Sequence, residues 1–543
     1  MKNLLLLLSG IFLLTTWSCK TSESPLPPAD PTEKDVYDPM EVSGVKVWSP
    51  VYPVLIGKEN NPVLRVQIDA VGSKKAVALE GLTLDLEGTD QLGDIQEVRA
   101  FFTGASSDFS VRRAFGESQD GTIDPHFTGS QLLQPGSNYL WISFELESTA
   151  DISRKLKVQL SEITVDGKKM QATQATGSPT KRMGHALRQH RQDDIHTYRI
   201  PGMVTTNEGT LIAVYDNRHD SSTDLQGDID VGMSRSTDGG QTWEPMRVIM
   251  DMGEWGGKPE DQNGIGDPCI LVDRQTGTIW VAGLWIHGHP GARAWNASQP
   301  GISPEETGQF MLVKSEDDGR TWSAPVNITE QIKRPEWQLL LEGPGMGITM
   351  KNGTLVFPAQ FKDGNQIPHA TIVYSTDRGE SWQIGTGAKS QTTEAQLVEL
   401  ADGSLMLNMR DDRGNSPGGR NGLGARSVMI TKDMGQTWTE HPTSREALPE
   451  PVCMASLVRH QTPSEEVLLF SNPLHRYVRK NMTIQLSRDE GQTWPREHHL
   501  LLDEGQGNGY SCISSIDENT IGIIYEGSQA DLIFQRVDLA ELE

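Results

Sequence analysis

Beyond residue 42, apolar side chains alternate with polar ones or gather in runs of four to eight, and turn residues separate the runs. That patterning, bounded by Gly, Asp, Asn and Ser, predicts β-strands. Between residues 42 and 170 such segments fall at 45–54, 63–71, 82–86, 95–102, 139–146 and 156–165. They share no repeat and predict a β-sandwich. Residues 171–180 are Gln, Ala, Thr, Gly, Ser and Pro in composition, so 171–184 are expected to form a linker. From 185 to 543 the pattern becomes periodic, with six units in which a strand, a turn and a returning strand recur. The turns fall at Asn207-Glu208-Gly209, Thr276-Gly277, Asn352-Gly353, Asp402-Gly403, 462–466 and 517–519. Asn-Gly and Asp-Gly between apolar runs are strong hairpin signals.

In the first five units a third strand runs into an octet, Ser/Thr-x-Asp-x-Gly-x-Thr/Ser-Trp, and a fourth strand follows. The octets are 236–243, 315–322, 375–382, 431–438 and 487–494, with start-to-start spacings of 79, 60, 56 and 56 residues. Asp and Gly make a tight turn, the hydroxyls bond nearby backbone, and the Trp packs the turn onto a sheet. These octets are therefore scaffold. The sixth unit lacks the octet, as a terminal repeat can. The fold class expected is all-β: a six-bladed β-propeller over 185–543, preceded by a β-sandwich domain over 42–170.

The first residues read differently. Lys2 precedes an apolar run over 4–14, too short for a membrane span, so 1–19 read as an export signal. Cys19 directly after the run is placed like a bacterial lipoprotein's lipidation site. Residues 20–41, rich in Ser, Pro, Glu and Asp, read as a flexible tether. The expectation is an exported protein, a periplasmic or cell-surface lipoprotein held to the membrane through Cys19, with secretion as the alternative. Cys269, Cys453 and Cys512 are too few and too widely spaced for a disulfide framework or metal pattern, and read as buried thiols.

The formal net charge is −25, which excludes nucleic acid as a natural partner and makes clustered arginines informative. Strand parity says where to look for them. In a four-stranded meander the Gly turns and the octets share one end, and strand-one starts, strand-two ends and two–three loops share the other. That other end carries Tyr198-Arg199-Ile200-Pro201, Arg218 and Asp224 in unit one, and Glu394 and Arg410 in unit four. Unit five brings Arg476 and Arg479, and unit six brings Tyr510 and Glu526. A single charge at a strand end is normally just solvated. Several converging on one mouth call for a ligand.

Tyr-Arg-Ile-Pro followed by the octets resembles the bacterial sialidase (exo-α-neuraminidase) family over about 185–543. Glu394, Arg410, Arg479, Gly-Tyr-Ser at 509–511 and Tyr-Glu at 525–526 strengthen the likeness. The preceding sandwich is similar to a domain that some of these enzymes carry. The resemblance implies that Arg199, Arg410 and Arg479 grip a substrate carboxylate and that Glu526 orients Arg199. It makes Tyr510 the nucleophile, Glu394 its base and Asp224 the acid/base, and puts Arg218 in the pocket lining. Arg479 is preferred to Arg476 because Arg-x-x-Met-Thr at 479–483 fits the family pattern. Chemistry agrees. Guanidinium groups bind carboxylate bidentately, and a neutral phenol approaches an anionic sugar better than a carboxylate does. A Tyr nucleophile is one of the known exceptions to the two-carboxylate pattern of glycosidases.

The implied activity is removal of terminal α-linked sialic acids from glycoproteins, mucins, oligosaccharides or gangliosides, without a cofactor. A trans-sialidase or intramolecular trans-sialidase would use the same residues, and a non-catalytic sialoglycan-binding propeller would need only the arginines. Three further signals carry little. His287-Gly288-His289 lacks a third ligand at metal spacing, Asp228 and Asp230 read as a polar strand face, and His498-His499 reads as a solvated loop. The long segment 285–310 interrupts unit two on the active face, where it can cover the pocket and bring Trp295 to the glycan.

Overall fold

The computed structural model describes residues 38–543 except 226, 287–293 and 416–423. The export signal, Cys19 and most of the tether lie outside the described residues, as does His287-Gly288-His289.

Two sheets face each other at the front of the chain. One has five strands in the order Gln174–Gly177, Glu41–Ser49, Asn61–Val71, Gly136–Leu146, Ile95–Gly104. The other has four, in the order Lys168–Met170, Gln159–Val165, Ala78–Asp85, His126–Leu132. Alternate residues point inward, so Val45, Val47, Val66, Ile68, Leu82, Phe127, Ile142 and Ile163 close a shared core.

The stretch expected to be a linker is strand. Gln174–Gly177 lies parallel to Glu41–Ser49, with Lys46 opposite Gln174. Thr180–Arg188 pairs antiparallel with Leu532–Asp538. Its small polar side chains gave no burial signal, because backbone pairing orders the first of these segments. Gly177, at φ 87°, lies so close to Ser49 that an added Cβ would stand 2.0 Å from its carbonyl oxygen.

Six sheets follow in a ring. Blades one to five use successive stretches of chain, beginning with Thr197–Thr205, Leu211–Arg218, Ile229–Ser236 and Arg247–Met250. The sixth unit has only Ser511–Ser515, Thr520–Tyr525 and Leu532–Asp538, and Thr180–Arg188 supplies its outer strand. Chain start and chain end thereby close the ring, which explains why unit six needs no octet. Val54–Ile56 of the front domain adds a parallel strand outside Thr180–Arg188. In blade three the inner strand breaks at Gly343-Pro344-Gly345: Leu339–Glu342 and Ile348–Thr349 stay in that blade, while Gly345–Met346 pairs with blade two.

The octets are self-contained turns. In the second, Ser315 donates to Asp317 (2.9 Å), whose carboxylate accepts from the Thr321 amide (2.8 Å) and hydroxyl (2.7 Å). The same bonds recur at Asp238, Asp377, Asp433 and Asp489. The hairpin turns share this end, as parity requires: Thr206 and Thr210 of blade one donate to Asp318 at 2.6 and 2.7 Å.

Candidate active site

At the opposite end, bulges aim three side chains into the mouth. The register slips between Arg199 and Gly202 in blade one, between Gly266 and Cys269 in blade two, and between Thr392 and Ala395 in blade four. A bulge re-aims a side chain that a regular pleat would send into a neighbouring blade. Here it presents Arg199, Asp267 and Glu394. Ile200, a β-branched residue, is held at φ 58°, a strained conformation that needs outside support. Glu526 gives it, accepting the Ile200 amide at 2.9 Å.

Glu526 is the hub beneath the mouth. It is 2% exposed, accepts Arg199 Nε and Nη2 at 2.8 and 3.2 Å, and accepts the Tyr510 amide at 3.1 Å. Burial pushes its carboxyl upward, but Arg199 and the amides of Ile200 and Tyr510 outweigh that and hold it below the usual range. Breaking such a buried pair costs roughly 3–5 kcal/mol.

Tyr510 stands where the three arginines meet. Its ring packs in a small buried cluster with Ile200, Cys453 and Met454. The Arg199 and Arg479 guanidinium carbons lie 5.2 and 5.6 Å from the ring centroid, and Arg410 Nη1 donates to the phenol oxygen at 3.2 Å. Arg479 is fixed by the carbonyls of Asn508 (2.9 Å) and Val452 (2.8 Å). Arg476, its neighbour, reaches toward the Gly424 carbonyl instead, at 3.4 Å. The Tyr510 hydroxyl donates to Glu394 Oε1, while Glu394 Oε2 accepts Arg410 Nη1 at 2.7 Å. Burial first and Glu394 second push the phenol well above its ordinary range, against the pull of Arg410 and Arg479. At neutral pH it is a neutral donor to a carboxylate.

Asp224 projects over the same cavity. Its side chain is 75% exposed, 2.8 Å from Arg218 Nη1 and 3.6 Å from Arg199 Nη1. Arg218 lies beneath it at 1% exposure, also held by Asp216 and by the Ser222 carbonyl at 2.8 Å. It therefore anchors the Asp224 loop and, buried by these partners, does not line the pocket as the resemblance implied. Below, His219 Nε2 pairs with Asp230 at 2.9 Å, and Asp228 lies with them, all three ligand atoms within 4.8 Å of one another. The expected polar face is thus a half-buried clasp at the base of this loop. His498 caps the Leu542 carbonyl at 2.7 Å, and His499 contacts the Trp494 carbonyl. Neither is simply solvated.

The cavity holds about 570 Å³ and is lined by the polar residues Arg199, Asp224, Glu394, Arg410 and Tyr510 together with Leu284, Leu339 and Leu341. Trp295 and Asn296, from the long excursion in unit two, line it as well. Trp295 is 36% exposed, with the Lys362 ammonium 4.8 Å from its ring. Sequence reasoning missed Asp267 and Asp412. Asp267 lines the cavity at φ 56°, pushed well above the ordinary aspartate range by burial, then by Asp216 and Asp224. A signal existed: Asp267-Pro268 occupies the bulge position of Ile200-Pro201 one unit later. Asp412 pairs with Arg410 Nε at 3.2 Å. Cys269, Cys453 and Cys512 are buried free thiols.

Comparison with known proteins agrees with this architecture. Residues 209–523 match the BNR repeat-like domain, and residues 42–169 match the N-terminal domain of BNR-repeat neuraminidase. A sialidase of Bacteroides fragilis is 44% identical over 523 residues, covering 90% of this chain and 94% of that protein. A Hadza microbial sialidase superposes with a TM-score of 0.85 at 43% identity, over 92% of this chain and 100% of that one. Trypanosoma rangeli sialidase, 23% identical over 64% of this chain and 56% of its own, shares the fold at a TM-score of 0.52.

Proposed function

This chain belongs to the BNR-repeat neuraminidase family, the sialidases, and from that premise we propose that it is an exo-α-sialidase acting with retention through a tyrosyl intermediate. The observation that carries the reading is the Tyr510 hydroxyl, donating to Glu394 amid three guanidinium groups. A site that only bound sialoglycans would need the arginines. It would not need a buried phenol poised on a carboxylate.

Arg199, Arg410 and Arg479, whose guanidinium groups gather around Tyr510, hold the sugar carboxylate. Substrate binding brings the anomeric carbon to the phenol oxygen. As the C–O bond forms, the phenol proton passes to Glu394, so no full phenolate faces the substrate anion. Arg410, bonded to both groups, offsets the charge that develops on oxygen. Asp224 gives its proton to the departing glycosidic oxygen and then takes one from the water that attacks the anomeric carbon, while the glycosidic bond to Tyr510 breaks and Glu394 returns its proton to the phenol oxygen. Two inversions give net retention. Glu526 orients Arg199, and Arg218 positions Asp224.

Natural substrates in this reading are sialylated glycoproteins, mucins, oligosaccharides and gangliosides. The protein is exported and anchored through Cys19. Turnover of a fluorogenic sialoside with mass analysis of the product is the test. Free sialic acid released first as the α-anomer is expected; transferred or anhydro product would replace hydrolysis by a transglycosylating reading. Metabolic labelling with a palmitate analogue, lost in Cys19→Ser, tests the anchor.

A further inference from the structure

The outward face of the five-stranded front sheet is not an ordinary solvated surface. Its register places Thr176 opposite Trp48, Trp48 opposite Arg65, Arg65 opposite Trp141 and Trp141 opposite Phe101, one row spanning all five strands. The next row is Gln174, Lys46, Gln67 and Tyr139. Trp48 and Trp141 pack edge to face at 5.9 Å. The Arg65 guanidinium carbon stands 4.4, 5.6 and 5.8 Å from the rings of Trp48, Tyr139 and Trp141. Among the described residues its N–H groups meet no carboxylate or carbonyl, whereas neighbouring Lys46 is paired with Asp69 at 2.9 Å. A recess of about 140 Å³ opens here, lined by Lys46, Trp48, Arg65, Gln67, Gln174 and Thr176.

Rings attract a guanidinium without neutralising it, so its donors and charge remain available. In a protein of net charge −25, an uncompensated Arg fixed by three rings has no role in solubility. It suits a planar anion that accepts two parallel N–H bonds, which is a carboxylate. Half-exposed Trp48 and Tyr139 suit the C–H face of a pyranose and Gln174 suits its hydroxyls, while Trp141, 3% exposed with its indole N–H on the Ser107 carbonyl, backs Arg65 from beneath. A short run of contacts links the face to the segment that carries Arg479. Tyr52 packs edge to face on Trp48 at 6.1 Å, the Glu504 amide donates to the Val51 carbonyl (2.9 Å), and the Gly507 amide donates to the Arg479 carbonyl (3.1 Å).

We propose that this face is a second, non-catalytic saccharide site that takes a carboxylate-bearing pyranose on Arg65. Resting on the sialidase reading, the natural source of that sugar is another sialic acid of the same multivalent glycan. The site then retains a branched substrate while Tyr510 works on its ends.

Calorimetric titration of the full chain carrying Tyr510→Phe, which blocks turnover, tests it with 3′-sialyllactose, a glucuronate-containing disaccharide and lactose. Two sites for sialyllactose are expected, one of them weakened at least about tenfold by Arg65→Gln and by Trp48→Ala in folded protein. Binding of either acidic sugar at the Arg65-dependent site supports the class, and whichever binds identifies its source. A single site unaffected by either substitution overturns the proposal, as does equal binding of lactose there. A lone site that Arg65→Gln abolishes supports this proposal while sinking the sialidase reading of the mouth. In otherwise wild-type enzyme, Arg65→Gln leaves hydrolysis of a small aryl sialoside unchanged and lowers kcat/KM on sialylated mucin severalfold. Equal loss on both substrates contradicts a non-catalytic site.

Discussion

The two ends of the propeller are both rich in carboxylates, yet they use them in opposite ways. At the octet end the third-position aspartate of every octet bonds to groups two and four residues away. At the mouth, bonded partners are 327, 116 and 100 residues apart, in Arg199–Glu526, Glu394–Tyr510 and Arg410–Tyr510. Near-neighbour hydrogen bonds hold Asp317 and Asp377 down at about 2, led by the Thr321 amide and the Ser381 hydroxyl respectively. Burial pushes Asp267 and Tyr510 well up. One end is a shape repeated five times for stability. The other is a set of unlike residues made reactive by the ring that the repeats close.

Substitutions that separate the ends break this contrast most sharply at the nucleophile. Tyr510→Phe is expected to lower kcat by at least about 10³-fold while the thermal midpoint stays near wild type. Steady-state turnover and calorimetry read the two quantities. Glu526→Gln comes next: it leaves Arg199 unmatched in a buried site, so kcat/KM falls about 10²-fold or more and stability drops by roughly 3 kcal/mol, measured by denaturant unfolding. Asp224→Ala costs ~10²–10⁴-fold on natural glycosides but far less on aryl sialosides whose leaving group needs no proton. Equal losses on both would remove its acid role. At the other end, Asp238→Ala should lower stability by roughly 1 kcal/mol and leave kcat and KM unchanged.

The smallest effect is on pH. Asp317 and Asp377 have folded values of about 2, below the ordinary 3.8. Their contribution to stability is therefore complete above the unfolded value and is lost as pH falls through about 2. Asparagine at either position should flatten acid unfolding in that window, followed by circular dichroism.

Legibility in the sequence divides along the same line. Local signals write the octets and hairpin turns, so blade number and the end bearing the site follow from spacing and parity. Arg199, Glu394, Arg410 and Tyr510 stand out because strand starts and ends place them at one mouth. Asp267 sits in the same kind of bulge as Arg199 and Glu394, but a single aspartate at a strand start reads as an ordinary solvated charge, and its only trace is the matching Pro268. The strand Thr180–Arg188 escaped because its partner lies some 350 residues away, beyond any window of periodicity. The outward row through Arg65 was invisible because strand register, which the alternation alone does not state, puts Trp48 and Trp141 on either side of it.

The most direct measurement is a covalent trap. Incubation with 2,3-difluorosialic acid, followed by intact mass and peptide mapping, should give one fluorosialosyl adduct on Tyr510 and none in Tyr510→Phe. An adduct on Glu394 or Asp224, or none at all in an enzyme that still hydrolyses sialosides, would contradict the account.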